Sequence, residues 1–127
     1  MFFRPRVLRL LPRYRRLMRD GARAKAVVVE SRAWYGSAGP VALNARLRLE
    51  VRFPDGAGAT VSRVVRYRDL GDQDVVGSIL PMRYEPGDRS YVEVDLPELR
   101  RSYSARMAKL DRAAVREARA KLRRPGK

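Results

Sequence analysis

"PVALNARLRLEVRF", residues 40–53, decides how this chain folds. Val41, Leu43, Ala45, Leu47, Leu49, Val51 and Phe53 take every second position, and Asn44, Arg46, Arg48, Glu50 and Arg52 fill the alternate ones. Successive side chains of a strand point to opposite faces, whereas a helix would scatter this set around its circumference. The stretch therefore reads as a strand with one buried and one solvated face, the pattern of an antiparallel sheet. "PDG" at 54–56 supplies a proline that fixes φ and a glycine free to turn left-handed, so the chain reverses there. "ATVSRVVRY" (59–67) returns as the partner strand.

Working outward, "ARAKAVVVESRAW" (22–34) is a strand reached through "YGSAGP", and "SILPMRY" (78–84) and "SYVEV" (90–94) flank the turn "EPGDR". Five strands joined mainly by hairpins predict an all-β core, a small five-stranded antiparallel barrel, because closure hides the sheet edges. Both an OB-like and an SH3-like barrel fit. The irregular link "RDLGDQDVVG" (68–77) has room for the short helical turn of the OB arrangement. The expected organisation is a basic, partly helical N-terminal arm (1–20), the barrel (21–96), and a basic C-terminal helix and tail (97–127).

At 127 residues the chain has the size of one domain. It contains no cysteine and no histidine. That removes disulfides, thiolate nucleophiles and zinc–sulfur sites, together with the side chain that ordinarily carries protons near neutral pH. Carboxylates are the remaining candidates for acid–base chemistry, and "MRYEPGDRSYVEVDLP" (82–97) holds four of them. Glu85 and Asp88 read as turn residues and Glu93 as pointing outward. Asp95 opens an Asp-x-x-Glu capping box with Pro97 in the first helical turn. Asp69, Asp72 and Asp74 lack the spacing and final glutamate of an EF-hand loop, and read as caps of a surface loop near Arg66 and Arg68. The sequence thus predicts a protein that is not an enzyme, with no cofactor and no metal.

The charge is segregated. Of the formal +15, residues 1–25 carry nine basic and one acidic side chain, 26–97 nine and ten, and 98–127 eleven and three, or net +8, −1 and +8. A nearly neutral centre lies between two cationic arms. No apolar run approaches the roughly 20 residues needed to span a bilayer, and "MFFRPRVLRLLPRYRRLMRDG" interrupts its apolar pairs with arginine and proline, so it lacks a secretory core. The expected location is the cytoplasm, or the periphery of the membrane at its inner face.

Pro12 would break a longer helix, so the N-terminal arm predicts a helix from about Pro12 to Gly21. Its apolar side is Val7, Leu10, Leu11, Tyr14, Leu17 and Met18, and Phe2 and Phe3 precede it. The C-terminal segment predicts a helix over 96–123, roughly 40 Å long at 1.5 Å per residue. Leu99, Tyr103, Met107, Leu110 and Ala114 form its apolar stripe, with Arg100, Arg101, Lys109, Arg112, Arg116 and Arg119 on other faces. The first half is expected to pack on the barrel and the second to project.

"GARAKAVVVES", "LRLEVRFPDG" and "VGSILPMRYEPGDRSYVEVD", in that order, resemble a bacterial domain family of unknown function. It opens with Gly-x-x-Ala-x-Ala-x-Val and closes with Val-x-Tyr-Asp-Pro-x-Asp. The resemblance covers residues 21–96. Glu85 stands where the family has Asp, and Arg89 where Pro often follows the second Asp. It implies a small β-barrel, often attached to membrane helices or charged tails, and no catalytic residues.

The arms predict an anionic partner, a polymer or surface, with nucleic acid ahead of membrane. The candidate contacts are Arg13, Arg15, Arg16, Arg19, Arg112, Arg116, Arg119, Arg123 and Arg124. Trp34 and Tyr35 are the candidate exposed aromatics, with Tyr67 and Tyr91 further options for stacking. The alternatives are a peripheral membrane protein using the amphipathic arm, or an adaptor whose C-terminal helix meets an acidic protein or its own copy.

Overall fold

The computed structural model describes residues 11–35, 43–70 and 76–124, with Tyr35 described for its backbone only. Helix α1 (Pro12–Asp20) leads into β1 (Ala22–Tyr35), β2 (Leu43–Arg52) and β3 (Gly58–Arg66). A 3-10 turn (Tyr67–Leu70) follows, then β4 (Ile79–Glu85), β5 (Asp88–Val94) and helix α2 (Leu96–Arg123). The strands pair antiparallel in the order β3-β2-β1-β4-β5 and curl into a nearly closed barrel.

That order separates the two barrel types the sequence left open. β1 lies between β2 and β4, and a 3-10 turn connects β3 to β4, as in an OB-like barrel; an SH3-like barrel would pair the first strand with the last. β1 serves both halves. Ala22–Val27 pair with β4, while Lys25–Tyr35 pair with β2, and the register shifts at Val28/Glu30. The extra residue is Val29, a bulge that bends the strand from one half to the other.

The alternation in residues 40–53 does what its spacing predicts. Ala45, Leu47, Leu49, Val51 and Phe53 are buried, and Arg46, Arg48, Glu50 and Arg52 are exposed. They meet Ala26 and Val28 of β1, Leu80 and Met82 of β4, and Val92 and Val94 of β5 in one core, each large aliphatic side chain contributing about 1.5–3 kcal/mol. Leu70 and Leu99 close the core from the 3-10 turn and from α2. Phe53 and Tyr84 pack edge to face, with ring centroids 4.8 Å apart.

The barrel closes through side chains where β3 and β5 face each other without ladder bonds. Arg63 of β3 donates from Nε to the Val92 carbonyl (2.9 Å) and approaches Glu93 Oε1 at 3.3 Å. At the other end of the seam Arg89 bonds Asp55 at 2.8 Å and lies over the Phe53 ring. Glu93 does lie on the face opposite Val92 and Val94, as its alternation predicts, but its side chain is only 15% exposed, with Arg63 across the seam beside it. Asp88 is likewise the first residue of β5, paired with Glu85 across a tighter turn, Pro86–Gly87, than the sequence suggested.

Both helices are fastened at one node. Asp95 caps α2 by accepting from the Glu98 N–H (3.0 Å) and also accepts from Arg83 Nε (2.9 Å). Arg83 continues to the Gly21 carbonyl (2.8 Å) at the end of α1. Tyr14 of α1 donates its hydroxyl to the Val94 carbonyl (2.7 Å) and accepts from Leu96 N–H (3.1 Å). Only half of the predicted capping box forms, because Glu98 pairs with Arg101 at 2.8 Å rather than reaching back. Gly21 has an ordinary extended conformation (φ −71, ψ 155). It is glycine for space, since a Cβ there would stand 2.5 Å from the Leu17 carbonyl oxygen.

Candidate functional site

On α1 the four candidate arginines do different things. Tyr14 and Leu17 turn inward and dock the helix, which leaves Arg13, Arg15, Arg16 and Arg19 exposed. Arg13 stacks on the Tyr91 ring at 3.6 Å and stands 4.0 Å from Glu85. Arg19 pairs with its neighbour Asp20 at 3.1 Å. Arg15 and Arg16 have no ion-pair partner among the described residues. Phe2 and Phe3 lie outside the described residues.

Helix α2 has two halves. Leu99 is buried and Met107 half-buried, so the root rests on the barrel; from Ala108 to Arg124 every residue is exposed. Over this free half Arg112, Arg116, Arg119 and Arg123 recur at spacings of four, three and four, which aligns them along one face. None of the four has a carboxylate partner among the described residues; Glu117 pairs with Lys121 (3.6 Å) and Glu98 with Arg101. Like charges at this spacing cost about 0.2–0.5 kcal/mol per pair. The helix persists because alanine, leucine and arginine are strong helix formers. Arg124 caps the end and is also exposed. The opposite side carries Leu110, Ala114 and Ala118, likewise uncovered, while the exposed Val115 and Leu122 border the ladder three or four positions from Arg119.

A third cationic surface is built by strand register. On the outer face of the barrel Trp34 of β1 pairs with Asn44 of β2, which pairs with Arg66 of β3. The next row is Arg32, Arg46 and Val64, and the one after it Glu30, Arg48 and Ser62. Arg32 and Arg46 thus stand directly opposite each other, an arrangement that opposes strand pairing. The nearest acid in the register, Glu30, is paired with Arg48 at 3.4 Å. Trp34 is 40% exposed, whereas Asn44, between it and Arg66 in the same row, is 8% exposed. Sequence reasoning identified Trp34 but passed over Arg32, Arg46 and Arg66. The alternation puts Arg46 outside; only the register, offset by the bulge at Val29, brings Arg32 and Trp34 beside it.

The other predicted aromatics are occupied or outside view. Tyr91 lies under Arg13, and Tyr67 packs against the core. The Tyr35 side chain lies outside the described residues. The acids act as partners for cations and backbone. Hydrogen bonds hold Asp20 (from Arg19), Asp55 (from Arg89), Asp88 (from Ser90) and Glu98 (from Arg101) below the usual carboxylate range. Burial pushes Glu93 up. Asp69 stands 3.9 Å from Arg100, and Asp72 and Asp74 lie outside the described residues. Among the described residues no helix is long and apolar enough to cross a membrane.

These features define a small OB-like barrel carrying two basic helices. No family model, curated protein or solved structure matches the chain.

Proposed function

We propose that this protein is a non-enzymatic binding module that associates with nucleic acid through its basic helices. The arginine ladder of α2 carries the reading: Arg112, Arg116, Arg119 and Arg123 share one face of a fully exposed helix and lack acidic partners among the described residues. A row of guanidiniums held apart from carboxylates binds phosphates and releases their counterions. Arg13, Arg15 and Arg16 on α1 are a second set of exposed cations. Phosphate binding also relieves the repulsion that the ladder imposes on its own helix.

The runner-up, a peripheral role at an anionic membrane, is favoured by exposed Leu110 opposite the ladder and exposed Val115 and Leu122 along its edge. Alanine makes up much of the rest of that side, which offers little area for burial among lipid chains. The test compares the full chain with a variant in which the four ladder arginines are glutamine. Binding to short RNA and DNA is measured across a potassium chloride series, with anionic vesicles in parallel. The expected result is tight binding of nucleic acid at low salt. The slope of log K against log salt should fall by about 3 to 4 in the variant on duplex DNA, at ~0.9 per phosphate contact. Vesicle binding without nucleic-acid binding at physiological salt would overturn the reading in favour of the membrane, and an unchanged slope would remove the ladder from it.

A further inference from the structure

We infer that the outer face of β1, β2 and β3 is a platform for single-stranded nucleic acid, with a base stacked on Trp34 and phosphates over Arg32, Arg46 and Arg66. The inference rests on the nucleic-acid reading above and specifies the form of the substrate. Three observations carry it. Trp34 is a large aromatic left 40% exposed on a strand, beside Asn44, which is only 8% exposed. Its own row and the next contain Arg66, Arg32 and Arg46 and no carboxylate, while Glu30 and Glu50 fall in the rows beyond. Arg32 and Arg46 are direct cross-strand neighbours, so this end of the face holds like charges together that an anion would relieve.

The combination favours an unpaired strand over a duplex. An aromatic beside clustered cations stacks on a splayed base of any identity, whereas a base inside a duplex is already covered on both sides. The surface lies on the β2–β3 face, which OB barrels present to oligonucleotides, and the strand order here is of that kind. The ladder on α2 supplies charge alone, without an aromatic, and serves duplex and single strand alike.

Trp34 is the single tryptophan of the chain, so its fluorescence reports this site and nothing else. The full chain is titrated with labelled oligodeoxythymidine of about 15 nucleotides and with a duplex of equal length, following label anisotropy and tryptophan emission together. The expected result is quenching of Trp34 along the same saturation curve as the anisotropy for the single strand, and binding of the duplex without quenching. Trp34→Ala should weaken single-strand binding by about 5- to 150-fold and leave duplex binding nearly unchanged, while Trp34→Phe, which retains a stacking face, stays within a few-fold of the native chain. Circular dichroism confirms that both variants are folded. Binding of the oligonucleotide with unmoved emission and an inert Trp34→Ala change would overturn this inference and leave the helix reading standing. Binding of neither nucleic acid, with or without capture on anionic vesicles, would sink both.

Discussion

The two halves of α2 are both rich in arginine and have opposite relations to the barrel. In the root, Arg101 pairs with Glu98, Arg100 stands 3.9 Å from Asp69, and Leu99 is buried. Beyond Met107 the helix keeps its arginines and loses both burial and acidic partners, apart from the Lys121–Glu117 pair. The difference teaches how to sort the cations of a strongly basic chain. Arg63 and Arg83, 22% and 14% exposed, bond carbonyls and carboxylates and hold the fold together, whereas the ladder arginines contribute nothing to packing. Net charge alone does not distinguish the two groups; partners do.

The largest effect should come from cutting the root. Asp95→Ala removes the cap on Glu98 N–H and strips the largely covered Arg83 guanidinium of its buried carboxylate partner. Breaking a buried pair from one side costs about 3–5 kcal/mol, a large share of the 5–15 kcal/mol that holds a typical domain. Urea denaturation measures it. The four ladder arginines changed to glutamine should cost no stability, and relieving their three like-charge neighbour pairs should add up to about 0.6–1.5 kcal/mol. Equal losses in the two variants would break the distinction between structural and free cations.

A smaller change sharpens it at the N-terminal side. Tyr14→Phe keeps the packing of α1 but leaves the Val94 carbonyl and the Leu96 N–H without their hydroxyl partner. The expected cost is about 1–3 kcal/mol. Because Leu96 begins α2, the loss should also speed amide exchange in its first turn. Exchange that rises in α1 alone would mean the two helices are fastened separately.

Most of the fold was legible because its signals are local. Period-two alternation fixed the inward set of β2, Asp95 followed by Pro97 marked the start of α2, and Pro12 marked α1. What escaped depends on partners distant in sequence. Glu93 looks like any outward strand acid until Arg63, 30 positions earlier, crosses the seam to cover it. The choice between OB-like and SH3-like order rests on β1 pairing with β4, which no turn residue announces. The helical cations of the candidate site were legible as charge on a periodic helix, but its flat face was not. Arg32, Arg46, Arg66 and Trp34 come from three strands, and their rows are set by a one-residue bulge.

The seam offers the mildest test of the same comparison, because there a structural arginine is imperfectly matched to its acid. Arg63 directs Nε chiefly to the Val92 carbonyl at 2.9 Å, and Glu93 receives the longer 3.3 Å approach. Burial therefore outweighs the attraction, and the Glu93 carboxyl is raised above its ordinary range. For a carboxyl raised by folding, the native state holds its proton at pH values where the unfolded chain has released it. The associated stability is full below the unfolded value near 4.5 and is lost as pH rises through the folded one. Glu93→Gln keeps a polar group against Arg63 and removes the titration. The stability of the native chain relative to this variant should thus increase as pH falls from neutrality toward 4.5, by a modest amount that urea midpoints at a series of pH values resolve. A gap that closes on acidification would mean that Arg63 dominates Glu93 after all, and that the seam is held by a matched ion pair rather than by backbone bonds from one guanidinium.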